Sequence, residues 1–310
     1  LFWKEKETEK NKMEEKQVID WLKVHCLPKD VRVKTGIGDD SAVVDYDSKS
    51  YLLFTNDAVV ENVHFKLKTA TFEQIGRKAL AVNISDIAAM GGIPVWALVS
   101  LGLQEKRASV FKEIYRGILE MANLFKVDII GGNLSRSHTF FVDIFLAGIV
   151  EKKNLVLRST AKPEDILFVT GTLGGAQKEK QFRFLPRVKE ARAIIEHTKP
   201  SAMIDLSDGL ASDARKLAEA SGCGFEIEVS QIPISIDASR KNRISSALYD
   251  GEDYELLFAV AKDSETKIPE RIGDLKITKI GRLTERKTFL LKYPDGKKIR
   301  ISKEKFRHFS

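Results

Sequence analysis

Residues 72–92, FEQIGRKALAVNISDIAAMGG, constrain this chain more than any other stretch. Leu80, Ile84, Ile87 and Ala88 recur at helical spacing, which predicts a long helix from about Phe72 to Met90 with a buried face. The glycine pair and Pro94 end it. Asn83 and Asp86 fall three residues apart within it, so they project from one face. An ionised carboxylate on a buried helix is costly unless it is paired or metal-bound. Asp86 lies mid-helix, where it cannot cap an end, so function is favoured over capping.

Around this helix the pattern turns to β-type runs. SAVVDY and YLLFT precede it, VWALVSLGL follows, and a second long helix is expected over 107–126. VDIIGGN reads as a buried strand that ends in glycines, and FFVDIFLAGIV as a further strand. The small, polar, Pro-containing stretch VLRSTAKPED then looks like a joint. Strand ILFVTG opens the second half. Helix 187–197, strand AMIDLS, helix 209–220, strand FEIEVS, a short helix near 242–248, strand YELLFAV and a finishing set near 276–301 follow. The fold class is α/β and α+β, not all-α. The expected division is a charged extension at 1–12, a first domain over 13–152 opening with a helix over 14–25, and a second domain over 153–310.

Composition narrows the function classes. The net charge is +7, but Lys and Arg are dense only near the two ends and are not interleaved with aromatics, so no nucleic-acid partner is expected. The two cysteines form no CxxC, which argues against a disulfide scaffold or a Cys-based zinc site and fits a cytoplasmic location. No apolar run approaches the roughly 20 residues that span a bilayer, and the charged start does not read as a secretory signal.

Acid and amide residues stand where local structure does not ask for them. Asp39 and Asp40 sit side by side in GIGDDSAVVD, just before a strand, although like charges repel and Asp is a poor strand residue; a turn is the competing reading. Thr55, Asn56 and Asp57 are expected to leave a strand together, offering hard oxygen ligands suited to Mg²⁺. His64 follows in an apolar setting, where a structural role competes. Asn83 and Asp86 form the third place. In IIGGN, Gly131 and Gly132 would let backbone N–H groups approach an anion, or simply make a turn. In IDLSDGLASD, Asp208 is placed at a helix N-cap, which leaves Asp205, Ser207 and Asp213 unexplained. Five such places, spread over both halves, point to a polyvalent metal and phosphate site. No P-loop, protein-kinase HRD or DFG set, GxSxG or HExxH motif is present.

The ordered set GIGDDSAVV, TNDAVVENVHF, KALAVNISDIAAMGG, GGN, IDLSDGLASD and GEDYELLF resembles the thiamine-monophosphate kinases of the aminoimidazole ribonucleotide synthetase superfamily, over residues 36 to 308. The resemblance implies a two-domain aminoimidazole ribonucleotide synthetase-like fold whose N-terminal domain dimerises through its β-sheet, giving a homodimer. It implies ATP-dependent phosphorylation of thiamine monophosphate to thiamine diphosphate, with several Mg²⁺ ions and ATP as co-substrate. Matched by motif, Asp40, Thr55, Asn56, Asp57, Asp86, Asn133, Asp205 and Asp208 take the metal shell. Gly132, Asn133, Arg158 and Ser207 take the ATP contacts. His64, Glu252 and the aromatic Phe306 take the substrate contacts, with Asp253 a neighbour.

The chain departs from the family pattern in three places: Asn133 stands where many relatives have Asp, Asp250 replaces a Gly, and the stretch after GTLGGAQ is short and basic. The reaction joins two phosphates. A phosphate monoester has its second pKa near about 6 and is already a competent anion near neutrality, so no catalytic base is assigned. Two rivals remain. One is another ATP-dependent enzyme of the superfamily, although Cys26 lies in no glycine-rich loop. The other is a catalytically weakened Mg-nucleotide-binding relative.

Overall fold

Strand runs paired early in the chain build the first of two sheets. The computed structural model describes residues 15–104 and 109–301; the charged extension 1–12 and Phe306 lie outside them. Helix α1 (Glu15–His25) leads into β1 (Val33–Thr35), β2 (Ala42–Asp45) and β3 (Ser50–Val60), followed by α2 (Phe72–Ala89), β4 (Ile93–Leu103), α3 (Phe111–Phe125), β5 (Asp128–Arg136) and β6 (Phe141–Glu151). The six strands form one sheet in the order β1-β2-β3-β6-β4-β5, antiparallel except for the parallel pair β4 and β5.

Side chains alternate across each strand, and this divides the sheet sharply. Ala97, Val99 and Leu101 of β4 and Val142, Ile144 and Leu146 of β6 are buried in one core with Ile75, Leu80, Ile84 and Ile87 of α2 and Ile114, Ile118 and Met121 of α3. Each such burial contributes roughly 1.5–3 kcal/mol. A capping box between Thr71 and Gln74 starts α2. Helices α2 and α3 touch at two glycines: a Cβ on Gly76 would lie 1.9 Å from the Ile114 carbonyl oxygen, and one on Gly117 1.9 Å from that of Glu73. On the other face no helix packs among the described residues. Trp96 and Leu98 are exposed there, and Phe54 stacks on Phe145.

The second half contains β7 (Ile166–Thr170), α4 (Lys180–Arg183), α5 (Val188–His197), β8 (Ala202–Asp205), α6 (Leu210–Ala220), β9 (Gly224–Glu228), α7 (Arg243–Tyr249), β10 (Leu256–Val260), β11 (Arg271–Ile272), β12 (Leu275–Thr284), β13 (Phe289–Lys292) and β14 (Lys298–Arg300). Its sheet runs β14-β13-β9-β12-β7-β10-β8, with β11 paired to β12. Both sheets mix parallel and antiparallel pairs, and each carries helices, in keeping with the expected α/β and α+β class. The stretch 155–165 holds no helix or strand.

Two expectations are corrected by pairing. Thr55, Asn56 and Asp57 do not leave a strand, because β3 continues to Val60 in unbroken register with β6. The run VDIIGGN is not buried. As β5 it forms the sheet edge, pairs only with β4 and exposes Ile130 and Leu134, and its glycines lie within the strand.

Candidate active site

Helix α2 carries Asp86 to a point where the two halves of the chain meet. Carboxylate oxygens of Asp40, Asp86 and Asp205 all lie within 4.8 Å of one another. Asp40 comes from the loop before β2, and Asp205 is the last residue of β8. Thr55 Oγ1 donates to Asp86 Oδ2 at 2.5 Å, and Ser85 Oγ donates to Asp205 Oδ2 at 2.6 Å. Asp57 stands two residues after Thr55, on the same side of β3.

Like charges about 4 Å apart repel by roughly 4 kcal/mol at an effective dielectric near 20. Burial, followed by the charges of Asp57, Asp205 and Asp40, raises the Asp86 carboxyl well above its usual range. Burial and then Asp40 do the same to Asp205. Among the described residues one cation pairs with this group directly. Arg158 Nε donates to Asp40 Oδ2 at 3.0 Å, and Nη2 donates to Asp40 Oδ1.

The adjacent acids divide their tasks. Asp39 accepts the backbone N–H of Asp40 at 3.0 Å and of Arg158 at 3.1 Å, so it holds the turn. Burial and the neighbouring Asp40 push its carboxyl up to about 6. Asn83 ties α2 to β3, accepting the Asp57 N–H at 3.0 Å and donating to the Ala79 carbonyl at 3.0 Å.

Asp208 is not a helix cap. The N-cap of α6 is Gly209, at φ 99°, and it makes no side-chain cap bond. The Asp208 carboxylate instead pairs with Lys216 at 2.5 Å. The fully buried Asp213 pairs with the same ammonium at 2.9 Å and accepts the Asp208 N–H at 2.9 Å. Ser207, beside it, accepts the Glu252 N–H on its carbonyl at 2.7 Å.

Asn56, Gly132 and Asn133 do not join the acid cluster within this chain. Asn56 points to the open face of the sheet, where it donates to Asp143 at 2.8 Å. Asn133 is opposite Ser100, itself opposite Asp143, so it shares that face, and its amide donates to Ser135 Oγ at 3.0 Å. Gly132 is a glycine because β4 approaches closely: a Cβ there, at φ 150°, would lie 1.9 Å from the Val99 carbonyl oxygen.

His64 and Glu252 are joined through a residue the sequence reading did not single out. Lys78, on α2, is almost fully buried. Its ammonium group donates to the His64 carbonyl at 3.0 Å and to Gln181 Oε1 at 2.8 Å, and it pairs with Glu252 Oε2 at 2.7 Å. His64 Nδ1 accepts the Val60 N–H at 3.0 Å, which leaves the ring proton on Nε2. The short basic stretch lies against this group: Arg77 donates to the Phe182 carbonyl at 2.9 Å, and the Lys78 ammonium stands 5.5 Å from the Phe182 ring centroid. Asp253, next to Glu252, accepts the Gly174 N–H at 2.9 Å and faces Lys180 at 3.4 Å; burial pushes its carboxyl up to about 6. Position 250 adopts φ −71°, which requires no glycine, and its Asp accepts the Gly175 N–H at 3.3 Å.

Residues 38–150 match the AIR synthase related protein, N-terminal domain, and residues 147–293 match the AIR synthase related protein, C-terminal domain. The chain is similar to the thiamine-monophosphate kinase of Bacillus subtilis (37% identical over 306 residues, 89% of this chain and 94% of that protein). It is likewise similar to the thiamine-monophosphate kinase of Aquifex aeolicus (36% over 288 residues, 85% and 90%). The solved structure of AaThiL complexed with AMPPCP and TMP superposes with a TM-score of 0.82 at 33% identity, covering 96% of this chain and 97% of that one.

Proposed function

The chain belongs to the family of the thiamine-monophosphate kinases, and from that premise we propose that it moves the terminal phosphoryl group of ATP onto the phosphate of thiamine monophosphate. A phosphate oxygen of thiamine monophosphate forms a bond to the γ-phosphorus while the bond from that phosphorus to the β,γ-bridging oxygen breaks. Thiamine diphosphate and ADP are the products. The observation that carries this reading is the convergence of Asp40, Asp86 and Asp205 from three separate elements.

The donor set there is made of hard oxygens, which fits Mg²⁺. Asp40, Asp86 and Asp205 would hold the ions, with Thr55, Asp57 and Asp208 beside them. Bound magnesium would supply the positive charge that lets two phosphates approach and would offset charge in the transition state. The attacking phosphate is largely deprotonated near neutral pH, since its second pKa is about 6, so no residue is assigned as a base. Arg158 and Ser207 flank the acids and are proposed nucleotide contacts. His64 and Glu252 are proposed to hold the thiamine end, together with Phe306, which lies outside the described residues. The transfer is proposed to be direct and in line, without a phosphorylated enzyme.

The open sheet face, with Trp96, Leu98, Asn56 and Asn133, is the proposed homodimer surface. Asn133 belongs to that face, so its missing charge does not thin the acid cluster of its own chain, and this weighs against a catalytically weakened relative. No helix among the described residues is long and apolar enough to cross a membrane. An assay with thiamine monophosphate, ATP and Mg²⁺ tests the reading: thiamine diphosphate and ADP should form in equal amounts. ADP formation that does not require thiamine monophosphate would point to another enzyme of the superfamily.

A further inference from the structure

Burying a lysine costs several kcal/mol unless its charge is paired and its donors are used. Lys78 is 1% exposed, and an ammonium group has three N–H donors. It donates to the His64 carbonyl and Gln181 Oε1 and forms an ion pair with Glu252 Oε2, and these three partners come from three different segments. One is the turn after β3. The second is α4, within the short basic stretch. The third is the loop between α7 and β10. An apolar side chain of similar length would fill the same space, so the ammonium group serves these three partners rather than packing.

The Glu252 loop needs such a partner. Glu252 and Tyr254 adopt φ 62° and 48°, a left-handed conformation that non-glycine residues hold only when their surroundings impose it. The surroundings do so at several points. The Glu252 N–H is bound by the Ser207 carbonyl, Asp253 is bound by the Gly174 N–H, and Tyr254 stacks on Phe184 at 4.3 Å between centroids. Lys78 alone among these reaches the Glu252 carboxylate from the N-terminal half of the chain.

We propose that Lys78 is a positioning residue for the thiamine end of the site: its ammonium group holds the Glu252 carboxylate and the turn carrying His64 in one fixed arrangement. The inference rests on the functional reading above, in which Glu252 and His64 meet thiamine monophosphate. Lys78 bonds neither Arg158 nor Ser207, and the Glu252 N–H keeps its own bond to Ser207, so loss of Lys78 should fall first on the thiamine end.

The test is steady-state kinetics on the full chain with each substrate varied in turn. Lys78→Met should raise KM for thiamine monophosphate about tenfold, the low end of what losing a partner that orients a metal ligand costs, with a much smaller change in KM for ATP. Lys78→Arg, which keeps the charge but not the geometry, should recover part of that loss. Gln181→Glu adds a competing carboxylate at nearly constant volume and should raise the same KM by less; it answers the question if Lys78→Met does not fold. An unchanged KM for thiamine monophosphate in a folded Lys78→Met or Gln181→Glu protein overturns the proposal. A parallel change in both KM values with a lowered Tm also overturns it, because that is the signature of a structural pin. Absence of thiamine-dependent turnover in the unmodified chain overturns the functional reading itself, which keeps the two failures apart.

Discussion

Helix α2 presents two charged clusters with opposite accounts. At Asp86, three carboxylates gather against one guanidinium, and the excess is negative. At Lys78, eight residues earlier and about 12 Å along the helix, one ammonium meets one carboxylate and two neutral acceptors, and the charge balances. Asp40, Asp205 and Lys78 are buried, and Asp86 is half-buried. A balanced cluster can hold shape without help, so it suits positioning. An unbalanced one repels itself until cations from outside the chain compensate, so it suits binding. The difference separates the two ends of one proposed site: ions and phosphates at Asp86, and the organic end of the substrate at Lys78.

The largest effect is expected from removing a member of the unbalanced cluster. Asp40→Ala takes one carboxylate from the cluster and leaves Arg158 only the more distant Asp39, 3.8 Å away. Turnover should fall by about 10²–10³-fold, the scale of losing one electrostatic contact to a transition state. Asp39→Ala is the matched control. It should keep most of the turnover but lose about 1–3 kcal/mol of stability, because the N–H groups of Asp40 and Arg158 lose their acceptor. Kinetics and urea unfolding on the two proteins check the pair. Equal loss of turnover in both would erase the asymmetry between the adjacent acids.

Metal removal gives a smaller, reversible effect. Mg²⁺ at a hundredfold excess over Kd should stabilise the chain by about 2.7 kcal/mol through mass action, and chelation should reverse it. A thermal melt that does not respond to Mg²⁺ would contradict the unbalanced cluster as an ion site.

The smallest effect sharpens the balanced side through pH. The Asp253 carboxyl is raised from 3.8 to about 6, by burial first, against the opposing pull of Lys180 and the Gly174 N–H. A raised folded-state value means that the fold binds the proton more tightly than the unfolded chain does. This contribution is full below about pH 4 and is lost as pH rises through about 6. Relative to Asp253→Asn, the unmodified chain should therefore lose on the order of 2 kcal/mol between those limits and change little above them. Urea midpoints of both proteins at pH 4, 5, 6 and 7 measure the slope.

The acid cluster was legible because its members stood where local structure gave them no role. Asp86 sat mid-helix, and Asp40 and Asp205 sat at element ends, so a single cause for all three could be argued before any distance was known. The Asp208 cap was misplaced by one residue, because Gly209 takes the φ of 99° at the helix start and frees Asp208 for Lys216. Adjacency in sequence groups Asn56 with Thr55 and Asp57, but the long pairing of β3 with β6 turns adjacent residues to opposite faces. The edge position of β5 was hidden because an apolar run looks the same whether it is flanked by strands or ends a sheet. Lys78 opens the motif KALAVNISDIAAMGG, yet a lysine on a helix reads as a solvated face. Its role depends on partners from the 61–65 turn, α4 and the Glu252 loop, which no periodicity reveals.

The Asp40, Asp86 and Asp205 cluster is proposed to carry the ions for phosphoryl transfer. The most direct measurement is thiamine diphosphate formation by the unmodified chain and by Asp86→Asn, across a Mg²⁺ titration, with the fold of each confirmed by thermal melting. Transfer should require Mg²⁺ in the unmodified chain and fall about 10³-fold in a folded Asp86→Asn protein. Full Mg²⁺-dependent transfer by folded Asp86→Asn would contradict it.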